Sequence, residues 1–125
     1  MSPMLKFILC SGAGSAMLAV ILGAFGAHGL KGKISEHFLS VYQTGVQYQL
    51  IHALALILVG LLYQRFTTPP FVLVALLFLC GTLLFSGSLY GLALGGPRWL
   101  GPITPLGGMC FICGWGALIY AVVKS

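Results

Sequence analysis

The chain has 125 residues, of which 59% are apolar and only 6% charged. A soluble domain carries about 25% charged residues, so a water-exposed globule is excluded. The net charge of +5 comes from six Lys and Arg against one acid, Glu36. These cations (Lys6, Lys31, Lys33, Arg65, Arg98, Lys124) lie at the ends of apolar runs. They read as headgroup anchors, and a nucleic-acid surface is not expected.

Four apolar runs follow in order, at about residues 5–27, 42–62, 71–94 and 106–123. Each approaches the roughly 20 residues that a helix needs to cross a bilayer. Backbone groups in hydrocarbon must bond within their own segment, so the spans are expected to be helices. The expected fold is all-α: a single four-helix transmembrane bundle over residues 1–125, up-down in topology. Run one begins like a signal peptide, with Lys6 and a cleavage-like Ala24-Phe25-Gly26, but it is longer than a signal h-region. It reads as an uncleaved anchor. Both termini then share a side with Arg65, and the basic residues divide three against three. Only the N-terminal amine tips the termini toward the cytoplasm.

Run two is preceded by Ser35, a good N-cap, and Glu36, which suits a positive helix end. Its helix is expected to start near Glu36, with His37, Ser40, Gln43, Thr44, Gln47 and Gln49 at or above the interface. Thr67-Thr68-Pro69-Pro70 closes a hairpin to run three. Residues 95–108 are rich in Gly and Pro and read as irregular. Thr104 and Pro105 are expected as N-cap and first residue of helix four.

Small residues recur every four positions at Ser11, Ser15, Ala19, Gly23 and Ala27, at Gly87, Gly91 and Gly95, and at Cys113, Ala117 and Ala121. Such stripes allow close backbone approach in lipid. Ser15, Ala19, Gly23, Gly87, Gly91 and Gly95 are therefore expected helix-packing positions, within one bundle or between copies. No internal duplication of the kind seen in secondary transporters is evident.

The residues expected to carry chemistry lie at mid-depth. Folding the hairpin about residue 67 sets Thr82 opposite His52, and Ser15 and Cys113 lie near the middles of runs one and four, so the four can form one polar layer, with Tyr48 a turn from His52. An ionisable ring at membrane depth is a functional candidate by default. Packing competes with that reading, because no acid lies in the spans to complete a proton relay. His52 is expected to point inward and bond Thr82, Ser86 or Ser15. Cys110-Phe111-Ile112-Cys113 is a CxxC inside an apolar helix with no basic neighbour, so it reads as packing. No metal-ligand spacing, cofactor motif or catalytic constellation appears.

Longer strings carry a resemblance. They are Gly23-Ala24-Phe25-Gly26-Ala27-His28-Gly29-Leu30, residues 44–56 from Thr44 through Gln47-Tyr48-Gln49 and His52 to Leu56, Phe85-Ser86-Gly87-Ser88-Leu89-Tyr90-Gly91-Leu92-Ala93-Leu94, Gly101-Pro102-Ile103-Thr104-Pro105-Leu106-Gly107-Gly108, and Gly114-Trp115. In that order they resemble the YgdD family of small bacterial inner-membrane proteins, which has animal relatives. The resemblance implies four spans, a bacterial inner membrane and an unknown function.

Several of these residues gather at one end of the spans. His28, Gln47, Tyr48, His52, Ser86, Ser88, Tyr90, Arg98 and Thr104 are the candidate ligand-binding residues, forming a polar pocket floored by His52. A helix N-terminus beside Arg98 suits a headgroup or small anion. The expected function is non-enzymatic: assembly with itself or a membrane-protein partner, and binding of membrane lipid. The alternative is a transporter or channel subunit conducting through an oligomer or past His52.

Overall fold

The computed structural model describes residues 1–125 and is helical throughout apart from short connections. Four helices are long and apolar enough to cross a membrane: α1 (Pro3–Leu30), α2 (Glu36–Phe66), α3 (Pro69–Ala93) and α4 (Leu100–Val123).

Local chemistry sets most of the ends. The Leu5 amide donates to Ser2 Oγ at 3.1 Å, and Pro3 occupies the first turn, where its missing N–H costs nothing. The Phe38 amide donates to Ser35 Oγ at 3.1 Å. Thr67 stops α2 in the left-handed region at φ 49°, its amide bonded to Tyr63 O at 2.7 Å, and Pro69 and Pro70 start α3. Two segments widen to π-helical turns, Gly26–Leu30 and Thr82–Ser86.

Helix four departs from expectation. It begins at Leu100, so Thr104 and Pro105 lie inside it, and irregular chain extends only through Trp99. At membrane depth an irregular segment would strand backbone amides and carbonyls, and that cost outweighs the one bond Pro105 forgoes. Pro102 falls in the first turn, where proline is tolerated.

Neighbouring helices run antiparallel. Residues 12, 15 and 22 of α1 meet 53, 49 and 42 of α2. Residues 78, 81, 85 and 88 of α3 meet 114, 111, 107 and 104 of α4. α1 packs on α2 and α4 on α3, so α2 and α3 form the middle of the molecule. One apolar cluster (Ile8, Leu56, Val59, Phe71, Val74, Phe78 among its members) fills the end nearest the termini. A smaller one, Leu30, Tyr42 and Ala93, closes the other end.

Glycine permits the tightest crossings. A Cβ on Gly107 would collide with the backbone N and Cα of Phe85. One on Gly12 would sit 3.0 Å from Ala53 O, and one on Gly114 2.6 Å from the Phe78 ring. The expected stripe on α3 behaves otherwise. Gly91 faces the side-chain tip of Leu100, whereas nothing lies within 4 Å of a Cβ on Gly87 or Gly95. Gly95 serves its connection instead, at φ +90°. The α3–α4 contact runs instead through Gly81 on α3 and Gly107 and Gly114 on α4. On α1, Ser15, Ala19 and Gly23 all face α2: Ser15 bonds Gln49, Ala19 is buried, and Gly23 meets Val46.

Candidate functional site

Between the two apolar clusters lies a band of polar side chains, and most of its bonds cross from helix to helix. Gln49 is its centre and is 4% exposed. Its amide nitrogen donates to Ser15 O at 3.0 Å and approaches Ser15 Oγ at 3.3 Å. Its amide oxygen accepts from Tyr90 OH at 2.6 Å. One side chain thus joins α1, α2 and α3. Its bond to Ser15 also puts Gln49 level with the middle of α1, not at the interface as its polarity suggested.

Further bonds extend the band. Ser86 donates to Gly45 O at 2.7 Å, joining α3 to α2. That oxygen is reachable because Gly45 carries no side chain, and its bare face also receives the Tyr90 ring. Tyr42 donates to Leu22 O at 2.6 Å, joining α2 to α1. Ser88 donates to Phe85 O at 2.9 Å within α3, and the Thr104 hydroxyl closes on Ser88 from α4.

His52 completes the set. Its ring is 3% exposed and lies flat on Phe111, with centroids 3.6 Å apart and planes 9° from parallel. Trp115 Nε1 donates to His52 Nε2 at 3.0 Å, and Nδ1 lies 2.8 Å from Tyr48 O. A carbonyl only accepts and an indole N–H only donates, so these contacts fix the tautomer: Nδ1 carries the proton and Nε2 is bare. Both nitrogens are engaged in the neutral ring. A proton on Nε2 would oppose the Trp115 N–H, so the geometry provides no free acceptor for a proton relay.

The expected partners of His52 are employed elsewhere. Thr82 donates back to Phe78 O at 2.9 Å, Ser86 reaches Gly45, and Ser15 serves Gln49. Cys113 is exposed on the outer face of α4, so the anticipated layer of Ser15, His52, Thr82 and Cys113 is not assembled. Its place is taken by pairs that include Trp115, a residue the sequence reading left unassigned. A hint was available, since an indole N–H at membrane depth needs an acceptor. Trp115→Phe removes the only donor to Nε2. It is expected to lower stability by about 1 kcal/mol, the scale of an interhelical hydrogen bond in a membrane, as read by unfolding in mixed micelles.

The other candidates divide into two groups. Ser86, Ser88, Tyr90 and Thr104 bond within the bundle. His28, Gln47, Tyr48 and Arg98 are exposed on its outside, with the Tyr48 ring against Phe85 at 4.8 Å. The space beside His52, where a pocket floor was expected, is filled by the Phe111 ring. The anion geometry expected near residues 101–108 is also closed. The Leu100 and Gly101 amides bond Pro97 O and Arg98 O, and Pro102 has no N–H to offer.

Fold and band together define a multi-pass α-helical membrane protein whose interior polar groups hold its helices to one another. A family model described as "Protein of unknown function (DUF423)" matches residues 22–108, and the chain belongs to that family. It is 48% identical over 121 residues to the UPF0382 membrane protein YwdK of Bacillus subtilis (strain 168), with 96% of this chain and 98% of that protein covered. It is 47% identical over 120 residues to the UPF0382 membrane protein SAB0533 of Staphylococcus aureus (strain bovine RF122 / ET3-1), with the same coverage. No solved structure matches the chain.

Proposed function

We propose that the protein is a non-enzymatic assembly module of the bacterial inner membrane, working through its outer helix faces, where lipid and partner helices meet it. The observation that carries this reading is the use of the interior polar groups. Gln49, Ser15, Tyr90, Ser86, Ser88, Thr104, His52 and Trp115 all take their partners inside the chain. A substrate path needs polar groups that are free to exchange partners with a solute, and here they hold neighbouring helices. We place both termini on the cytoplasmic side, with Lys6, Arg65 and Lys124, and take the YgdD resemblance and the DUF423 match to describe one grouping.

The test is flux. Purified protein is reconstituted into phosphatidylethanolamine/phosphatidylglycerol vesicles loaded with a pH-sensitive dye and, separately, with chloride or phosphate. The assembly reading expects leakage equal to protein-free vesicles. A saturable flux that His52→Gln removes, while helicity is retained, would overturn it in favour of a transporter or channel subunit.

A further inference from the structure

Two glutamines, two residues apart on α2, are treated very differently. Gln49 is buried and its amide is bonded on both sides. Gln47 is exposed, and its amide has no hydrogen-bond partner in the chain. Its depth makes that unusual. Gln49 is level with Ser15, close to the midpoint of α1, and Gln47 lies two residues before it on α2, about 3 Å away along the axis. Because α1 and α2 are antiparallel, that step leads toward the middle of α1. Gln47 therefore presents a bare amide within the membrane-spanning stretch of α2, three turns from its start at Glu36, where an unmet polar group is costly.

The residues around it are ordered. Thr44, Gln47, Ile51, Leu54, Leu58 and Leu61 follow at alternating spacings of three and four, on the face of α2 turned away from Tyr42, Gly45, Gln49 and Leu56. A 3–4 spacing is the seam of a left-handed helix pair. Thr44 spends its hydroxyl on Ser40 O, which leaves Gln47 as the seam's one unpaired polar group.

We propose that this face of α2 docks a second copy of the chain, with the Gln47 amides of the two copies bonded to each other across a twofold axis along the membrane normal. Such an axis sets each seam residue against its own counterpart. An amide suits that position because it carries a donor and an acceptor, so two of them satisfy each other reciprocally, as a hydroxyl-free apolar side chain or a lone cation could not. One polar group in an otherwise apolar seam also sets the register of the pair. The inference rests on the assembly reading above and names its partner and surface.

Cross-linking in membranes tests it. The four native cysteines are replaced by alanine, and Leu54→Cys, two turns below Gln47, is oxidised in reconstituted vesicles. Leu83→Cys, on the outer face of α3, is the control. The proposal expects a disulfide dimer from Leu54→Cys and none above random collision from Leu83→Cys. Adding Gln47→Leu should lower Leu54→Cys dimer formation about tenfold, the effect of losing an interhelical amide pair. Adding Gln47→Asn, which keeps the amide, should restore most of it. Since Gln47 touches no internal partner, adding either Gln47 substitution should leave the helicity of the cross-linking variant unchanged. Equal dimer yields at Leu54→Cys and Leu83→Cys, or a yield that ignores Gln47→Leu, would overturn the proposal. Cross-linking of Leu54→Cys in native membranes to a different polypeptide would overturn self-pairing but leave the assembly reading standing. Saturable flux through vesicles would instead remove the assembly reading itself.

Discussion

Gly107→Ala is expected to destabilise the protein by about 3 kcal/mol, at the upper end of what overpacking costs, although it adds one methyl group. The new Cβ would fall on the backbone N and Cα of Phe85, which have no rotamer to change. α3 and α4 would have to separate, and the same separation would loosen Gly81 against Phe111, Gly114 against Phe78, and the Ser88–Thr104 contact. Gly87→Ala is the matched control. Its Cβ enters open space on the same helix pair, so stability should hold or rise by up to about 1 kcal/mol through better helix propensity. Reversible unfolding in mixed micelles reads both. Equal losses for the two variants would mean that close approach at Gly107 is not what holds α4 in place.

Gln49→Leu is expected to cost about 2–3 kcal/mol, because it orphans groups on two other helices at once. The Ser15 hydroxyl has a remedy, since a helical serine can bond a carbonyl one turn back. The Tyr90 hydroxyl would keep only Ser86, one turn back, whose own proton goes to Gly45 O. Tyr90→Phe alone should therefore cost less, about 1 kcal/mol. The double variant Gln49→Leu/Tyr90→Phe should be more stable than the sum of the single losses implies, since it leaves no orphan. A non-additive difference of at least about 0.5 kcal/mol is expected for groups in contact. Strict additivity would show that the Gln49–Tyr90 bond does not form in the membrane.

The spans and most helix ends were readable from the chain because they rest on local signals. Apolar length marks a membrane helix, Ser35 with Glu36 marks a start, and Thr67-Thr68-Pro69-Pro70 marks a turn. What could not be read was rotation. In a soluble helix, apolar periodicity tells which face turns inward. Here lipid and protein core are both apolar, so α1, α3 and α4 carry almost no such signal. That is why a four-residue repeat groups Gly87 and Gly95 with Gly91, although only Gly91 meets a side chain, and why nothing in the sequence marks Gly81, Gly107 and Gly114. Polarity misleads in a related way. Gln47 and Gln49 read as interfacial, yet the Gln49–Ser15 bond sets both level with the middle of α1, inside the spans, one satisfied within the chain and the other facing outward. The start of α4 is hidden in the sequence because residues 101–105 look like a turn in water, and lipid penalises an open turn more than it penalises proline in a helix.

The central claim is that the interior polar groups are committed to one another, and His52 is where the competing transport reading would have to act. Nitrogen NMR of side-chain-labelled protein in lipid at neutral pH examines it directly. The expected spectrum is that of a neutral imidazole protonated on Nδ1 alone, with bare Nε2 hydrogen-bonded to the Trp115 indole N–H and that signature lost in Trp115→Phe. An imidazole protonated on Nε2, or one that exchanges its ring protons freely with water, would contradict it.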